Sequence, residues 1–218
     1  MPDQTPGFRP GRIRRAVTPI ARALTERLVG PSKAMRASQF AQLPTPAGHV
    51  VMLGDSITQL GVWEEWFAGR PVLNRGISGD TSADLLARVD TAVHDPVAVF
   101  LLIGTNDLTI GVALQDIVAN VRALLAAIED RAPGTPVVLQ SVMPRTHRYR
   151  ADIGVLNRAY RALAEETTHV TFLDLTHALV DDAGDLRQDL SADRIHLNGA
   201  GYAAWVEVLR PELARFTG

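Results

Sequence analysis

Val97-Ala98-Val99-Phe100-Leu101-Leu102-Ile103-Gly104-Thr105-Asn106-Asp107 decides the fold. An unbroken apolar run with no polar alternation is the pattern of a strand buried on both faces. Such strands belong to parallel sheets covered by helices on each side. The polar Gly-Thr-Asn-Asp that follows falls at the carboxyl end of the strand, the edge at which sheets of this kind hold their ligands.

The same grammar extends in both directions. Upstream, His49–Leu53 is a short apolar run ending in Gly54-Asp55-Ser56. Val72-Leu73-Asn74 is another, followed by glycines and a predicted helix over Ser82–Val93. Downstream, helical periodicity spans Gln115–Asp130 and stops near Ala132-Pro133-Gly134, and Pro136–Val142 is a fourth strand. Asp152–Thr168 reads as a helix, Val170–Leu173 as a fifth strand, and Ala200–Phe216 as a closing helix interrupted at Pro211. Strands alternating with helices predict an α/β fold built on a parallel sheet.

Residues 49–218 form one domain in this reading, preceded by a basic extension over 1–48. The 218-residue chain, 46% apolar and 21% charged, suffices for one sizeable core. Its net charge of −2 divides unevenly: residues 1–40 hold eight basic residues against Asp3 and Glu26, so they carry +6 and the rest −8. An acidic body with no recognition motif argues against a nucleic-acid partner. No stretch reaches the roughly 20 apolar residues of a membrane span. The absence of cysteine excludes thiolate chemistry. In the extension, Thr18-Pro19 reads as a helix start and Gly30-Pro31 as a stop, with Val17, Ile20, Leu24 and Leu28 at helical spacing. The apolar pattern breaks too soon for a signal peptide, so a cytoplasmic location is expected. The short helix is expected to pack on the body, with contact to a second copy, a partner or a membrane surface as the alternative.

The polar strand ends carry the candidate chemistry. Ser56, on a strand-to-helix turn, is a candidate nucleophile, but a serine hydroxyl needs a base. Of the six histidines, His196 stands out because Asp193 precedes it by three, a spacing that on a helical turn delivers base and carboxylate together. Gly79 offers a bare backbone N–H and Asn106 a side-chain NH₂ to a developing oxyanion. Each block singly has an ordinary explanation. Asp55 and Ser56 suit a helix cap, Gly79 and Asn106 suit turns, and 193–198 suits a pre-helix turn.

In combination and in order, the blocks resemble the SGNH hydrolases, the GDSL-like lipase/acylhydrolase family, over roughly residues 49–213. The matching stretches are Gly54-Asp55-Ser56-Ile57-Thr58, Asn74-Arg75-Gly76-Ile77-Ser78-Gly79, Gly104-Thr105-Asn106-Asp107 and Asp193-Arg194-Ile195-His196-Leu197-Asn198. The resemblance implies a flavodoxin-like three-layer α/β/α sandwich with a five-stranded parallel sheet. It implies Ser56 as nucleophile, His196 as base and Asp193 as its carboxylate. Ser56 N–H, Gly79 N–H and the Asn106 amide would form the oxyanion hole, with no metal and no cofactor. Asp55, Asn74 and Asp107 match the blocks as loop-shaping residues. Ile57-Thr58 departs from the Ser-Leu of the narrow pattern and suits the branch resembling platelet-activating-factor acetylhydrolase catalytic subunits and bacterial acylesterases.

The expected activity is therefore that of a serine esterase acting on a small-molecule ester with a short acyl group such as acetyl. Lysophospholipase or thioesterase action on the same machinery is the alternative. Trp63, Trp66 and Phe67 are candidates for a substrate pocket or for plain core. Arg145, with Arg148 and Arg150 around Tyr149 in a loop, is a candidate for an anionic group. A non-catalytic binding protein on this fold and a nucleotide-binding α/β protein are the rival classes, but the phosphate-binding glycine motifs are absent. Gly-x-Ser-x-Gly is absent too, which removes the α/β-hydrolase elbow.

Overall fold

The computed structural model describes residues 19–43 and 46–217. Its strands are β1 (Val50–Gly54), β2 (Val72–Gly76), β3 (Ala98–Leu102), β4 (Val137–Gln140) and β5 (Val170–Leu173). They form one parallel sheet in the order β2-β1-β3-β4-β5, matching the expected five-stranded architecture. The helices are α1 (Pro19–Gln42), α2 (Ser56–Gln59), α3 (Trp63–Trp66), α4 (Ser82–Ala87), α5 (Thr105–Ile110), α6 (Leu114–Arg131), α7 (His147–Glu165), α8 (Thr176–Leu179) and α9 (Gly199–Ala214).

The alternation of side chains along β3 builds the three layers. Val99, Leu101 and Ile103 pack in one core with Leu85 of α4, Ile117 and Leu124 of α6, and Leu156 and Tyr160 of α7. Ala98, Phe100 and Leu102 pack in the other with Trp63 of α3, Leu179 of α8, and Trp205 and Leu209 of α9. Both faces of β3 are thus apolar for a single reason: each meets a layer of helices.

Several boundaries differ from the sequence reading. The helix expected over Ser82–Val93 ends at Ala87 and continues as a 3₁₀ turn over Val89–Thr91. α7 begins at His147, so Arg148, Tyr149 and Arg150 form its first turn rather than a loop. Those polar residues carry no apolar periodicity to announce a helix. α9 runs through Pro211, where a break was expected. Proline there removes the N–H that would reach the carbonyl of Glu207, but Glu207 is exposed, where a carbonyl freed from the helix is open to water.

α1 also ignores its predicted stop and continues through Pro31 to Gln42. An interior proline costs about 3 kcal/mol. Burial of Phe40 at 3% exposure returns a similar amount, about 1.5–3 kcal/mol. The guanidiniums of Arg36 and Arg75 lie over the Phe40 ring at 4.7 and 4.8 Å, and Lys33 is ion-paired to Asp80 and Asp84. Tertiary contacts therefore carry the helix past its local breaker. The predicted cap at Thr18 and the side chains of Val17, Ile20, Leu24 and Leu28 lie outside the described residues.

β1 pairs with β2 on one side and β3 on the other, so the chain leaves these central strands in opposite directions and opens a crevice at their carboxyl ends. α2 follows β1 there and α5 follows β3. Close approach of α2 requires Gly54: a Cβ would fall 2.3 Å from Thr58 Oγ1 and 2.4 Å from the Leu102 carbonyl.

Candidate active site

Ser56 opens α2 immediately after β1. Asp55 caps that turn by accepting from Ile57 N–H at 3.0 Å, and the Tyr202 hydroxyl donates to the Ile57 carbonyl at 2.6 Å. Asn74 Nδ2 ties the end of the turn by donating to the carbonyls of Gln59 and Gly61, each at 3.0 Å. The serine is thus held at the crevice by its neighbours' side chains and remains 8% exposed.

The segment carrying Asp193 and His196 precedes α9. It is not the helical turn that the spacing suggested. Asp193 Oδ1 accepts from Ile195 N–H at 2.9 Å and His196 N–H at 2.7 Å, a side-chain-closed turn. Arg194 takes the left-handed conformation at φ 63°, and its guanidinium donates to the Leu186 carbonyl at 2.8 Å. The turn leaves Asp193 Oδ2 free to meet His196 Nδ1 at 2.7 Å, while Nε2 lies 2.9 Å from Ser56 Oγ.

This geometry sets the tautomer. An ionised carboxylate only accepts, so Nδ1 carries the proton and Nε2 is left to accept from the Ser56 hydroxyl. Asp193 is ionised across the working range. Partial burial raises its pKa, but hydrogen bonds from the His196 ring and from the His196 and Ile195 amides outweigh it and draw the value down to about 2.

Beside the Ser56 N–H at the start of α2, the candidate oxyanion donors are Gly79, in the loop after β2, and Asn106, at the start of α5. Gly79 adopts φ +84°, a conformation that favours glycine. Asn106, in the first turn of α5, donates one amide hydrogen to the Asp80 carbonyl at 2.9 Å, leaving its second available. Asp80 is fully buried and Arg88 Nε donates to its Oδ2 at 2.6 Å. Arg88 Nη2 in turn reaches the carbonyls of Gly54 and Arg75, at 3.1 and 3.0 Å. Sequence reasoning singled out neither Asp80 nor Arg88. Nothing in an Asp and an Arg eight apart across a loop and a helix distinguishes them from surface charges.

The structure places the substrate-pocket candidates as follows. Trp63 is fully buried, donates to the Thr58 carbonyl at 2.9 Å and packs edge-on against Trp205 at 4.8 Å. Its ring belongs to the core. Phe67 is buried beside it, and Trp66 is half-buried against the same cluster. Arg145 is buried rather than displayed: Nη1 donates to Thr109 Oγ1 at 2.7 Å, and its guanidinium covers the Tyr149 ring at 3.9 Å. It braces α5, the helix that carries Asn106.

Buried carboxylates underlie the crevice. Asp107 accepts from the Ser82 N–H and, at 2.6 Å, from the Ser82 hydroxyl. Asp55 is more costly: burial above all, with Asp80 and Asp107 adding to it, pushes its pKa up to about 7 against the Ile57 hydrogen bond. An unfolded Asp55 loses its proton near 3.8, whereas the folded one keeps it to about 7, so between these values the folded state holds the extra proton. Asp55 thus makes stability fall as pH rises through this window, by up to about 1.4 kcal/mol per pH unit. Asp55→Asn is expected to remove that slope. Urea unfolding of both proteins at several pH values between about 4.5 and 8 checks it; parallel curves refute it.

Among the described residues no cluster of His, Asp and Glu is arranged to hold a metal ion. No described helix is long and apolar enough to cross a membrane.

Residues 52–204 match the model of the GDSL-like lipase/acylhydrolase family. The chain is 28% identical over 176 residues to platelet-activating factor acetylhydrolase IB subunit alpha1 of Pongo abelii, covering 76% of this chain and 75% of that one. A Streptococcus pneumonia structure described as a platelet activating factor superposes with TM-score 0.83 at 26% identity, over 90% of this chain and 99% of that one. The fold is also shared with a carbohydrate esterase family 3 protein of Talaromyces cellulolyticus, at TM-score 0.64 and 23% identity over 77% of this chain and 97% of that one.

Proposed function

The chain belongs to the GDSL-like lipase/acylhydrolase family and is a carboxylic ester hydrolase, and from that premise we propose that Ser56, His196 and Asp193 hydrolyse short-acyl esters through an acyl-enzyme. The observation that carries this reading is the continuous line from Ser56 Oγ to His196 Nε2 (2.9 Å) and from Nδ1 to Asp193 Oδ2 (2.7 Å). His196 takes the serine proton as Oγ attacks the ester carbonyl. Asp193 stabilises the imidazolium, which then protonates the departing alcohol. Water enters by the reverse roles and releases the acid, so the serine is regenerated.

The negative charge of each tetrahedral intermediate falls to Ser56 N–H, Gly79 N–H and the second amide hydrogen of Asn106. Asn106→Ala is expected to reduce kcat about 10²–10³-fold with a much smaller change in KM, because this donor acts on charge that only the transition state develops. Steady-state kinetics on p-nitrophenyl acetate checks it, and an equal loss in the two parameters contradicts it.

Short acyl groups such as acetyl are supported by the relative's description as an acetylhydrolase. A longer, lipid-like acyl group has its own observation: Leu60 and Val62, just after the helix that Ser56 opens, are exposed at 55% and 53% and offer apolar surface. A series of p-nitrophenyl esters from acetate upward separates the readings. The proposal expects kcat/KM to be highest at acetate or propionate and to fall with length. A rise to the longer chains moves the enzyme to the second reading, and no hydrolysis at any length overturns both.

A further inference from the structure

The basic extension is joined to the crevice through its charged face. Lys33 Nζ, on α1, lies 3.3 Å from Asp80 Oδ1 and 2.6 Å from Asp84 Oδ2. Asp80 is wholly buried, and its Oδ1 has no hydrogen-bond partner among the described residues, so Lys33 is the cation that faces it. The other oxygen, Oδ2, is taken by Arg88. Asp84 anchors the start of α4 by closing a capping box with Thr81. One turn before Lys33, Val29 presses on the glycine of the second block: a Cβ on Gly79 would fall 2.6 Å from Val29 Cγ1.

Asp80 is the hinge of these contacts because its backbone serves both oxyanion donors. It follows Gly79 directly, and its N–H donates to the Ile77 carbonyl at 3.2 Å, so Asp80 closes the turn that encloses the Ser78–Gly79 peptide, the one that carries the Gly79 N–H. Its carbonyl accepts from Asn106 Nδ2 at 2.9 Å. A planar amide with one hydrogen anchored can aim the other in one direction only. An oxyanion hole works because its donors are oriented before charge develops, and a donor free to turn loses much of that effect.

We infer that Lys33 is a positioning residue of the oxyanion hole, the N-terminal helix clamping Asp80 so that Gly79 and Asn106 are held in their working orientation. The inference rests on the proposed roles of Gly79 and Asn106. It makes the extension part of the active centre. Val29 stacked on Gly79 adds a wall to the same loop, and Arg88 holds the other carboxylate oxygen at 2.6 Å; burial pushes the Asp80 pKa up, and Arg88 and Lys33 oppose that shift.

The test uses the full-length chain with Lys33→Met, Lys33→Arg and Ser56→Ala. Active sites are titrated with a p-nitrophenyl phosphonate, and kcat is expressed per labelled serine, so that any loss of folded protein cancels. Lys33→Met is expected to lower kcat on p-nitrophenyl acetate about 10-fold, less than outright loss of a donor, while KM stays within about twofold. Binding of a trifluoromethyl ketone, whose hydrate carries the oxyanion, is expected to weaken by a similar factor. Lys33→Arg, which keeps the charge, is expected to recover most of both losses. An unchanged kcat per labelled serine in Lys33→Met overturns the inference, as does a loss that Lys33→Arg fails to recover. Full activity in Ser56→Ala overturns the underlying reading of the site instead, so the two failures are told apart.

Discussion

Ser56→Ala is expected to reduce kcat for ester hydrolysis by about 10⁴-fold or more, with the folded state little changed. The size follows from the route. Without the hydroxyl there is no acyl-enzyme, and a water in its place must attack without being held by the turn that Asp55 and Tyr202 brace. The residual rate would come from the donors of Gly79 and Asn106, which still stabilise a developing oxyanion. Stability should hold because the group removed is one small hydroxyl, bonded to the ring of His196, whose side chain is 38% exposed and can turn to water. Kinetics on p-nitrophenyl acetate with unfolding followed in parallel checks both halves. A variant with more than a tenth of the wild-type kcat contradicts the assignment.

The second large effect is expected at Asp193. Asp193→Asn should lower kcat about 10⁴-fold at neutral pH, through the tautomer rather than through geometry. Asparagine can keep the oxygen that accepts from the Ile195 and His196 amides, so the turn persists. The amide nitrogen then faces Nδ1 and donates to it. That forces the ring proton onto Nε2, where it opposes the Ser56 hydroxyl instead of accepting from it. KM should change little, since no substrate contact is removed. Asp193→Ala is expected to be comparably impaired, and an Asp193→Asn enzyme within tenfold of wild type refutes the tautomer argument.

The sheet was readable because its inner strands β1, β3 and β4 are buried on both faces, and burial leaves a plain mark in residue type: Val97–Ile103 contains nothing polar. Ser56, Gly79 and Asn106 were readable for a different reason, namely that they follow successive strands, in a fixed order with the Asp193/His196 segment. What failed to show in the sequence was set by tertiary contact. Pro31 reads as a stop, yet Phe40 and Lys33 beyond it find partners on the body and hold the helix. Trp63 lies close after Ser56 in the chain and looks like a pocket residue, but α3 turns its ring into the core against Trp205. Asp193 and His196 meet through a side-chain-closed turn rather than the helical turn inferred from their spacing, since an aspartate can close its own turn when the next residue accepts a left-handed conformation. The Lys33–Asp80–Arg88 cluster joins residues far apart in sequence, and no local pattern marks it.

Covalent labelling tests the central claim most directly. The protein is treated with a fluorophosphonate, digested and mapped by mass spectrometry while esterase activity is followed on the same sample. The account predicts one adduct per chain, on the peptide containing Ser56, accumulating in proportion to the loss of activity. Activity lost with Ser56 unmodified, or retained with Ser56 fully modified, would contradict it.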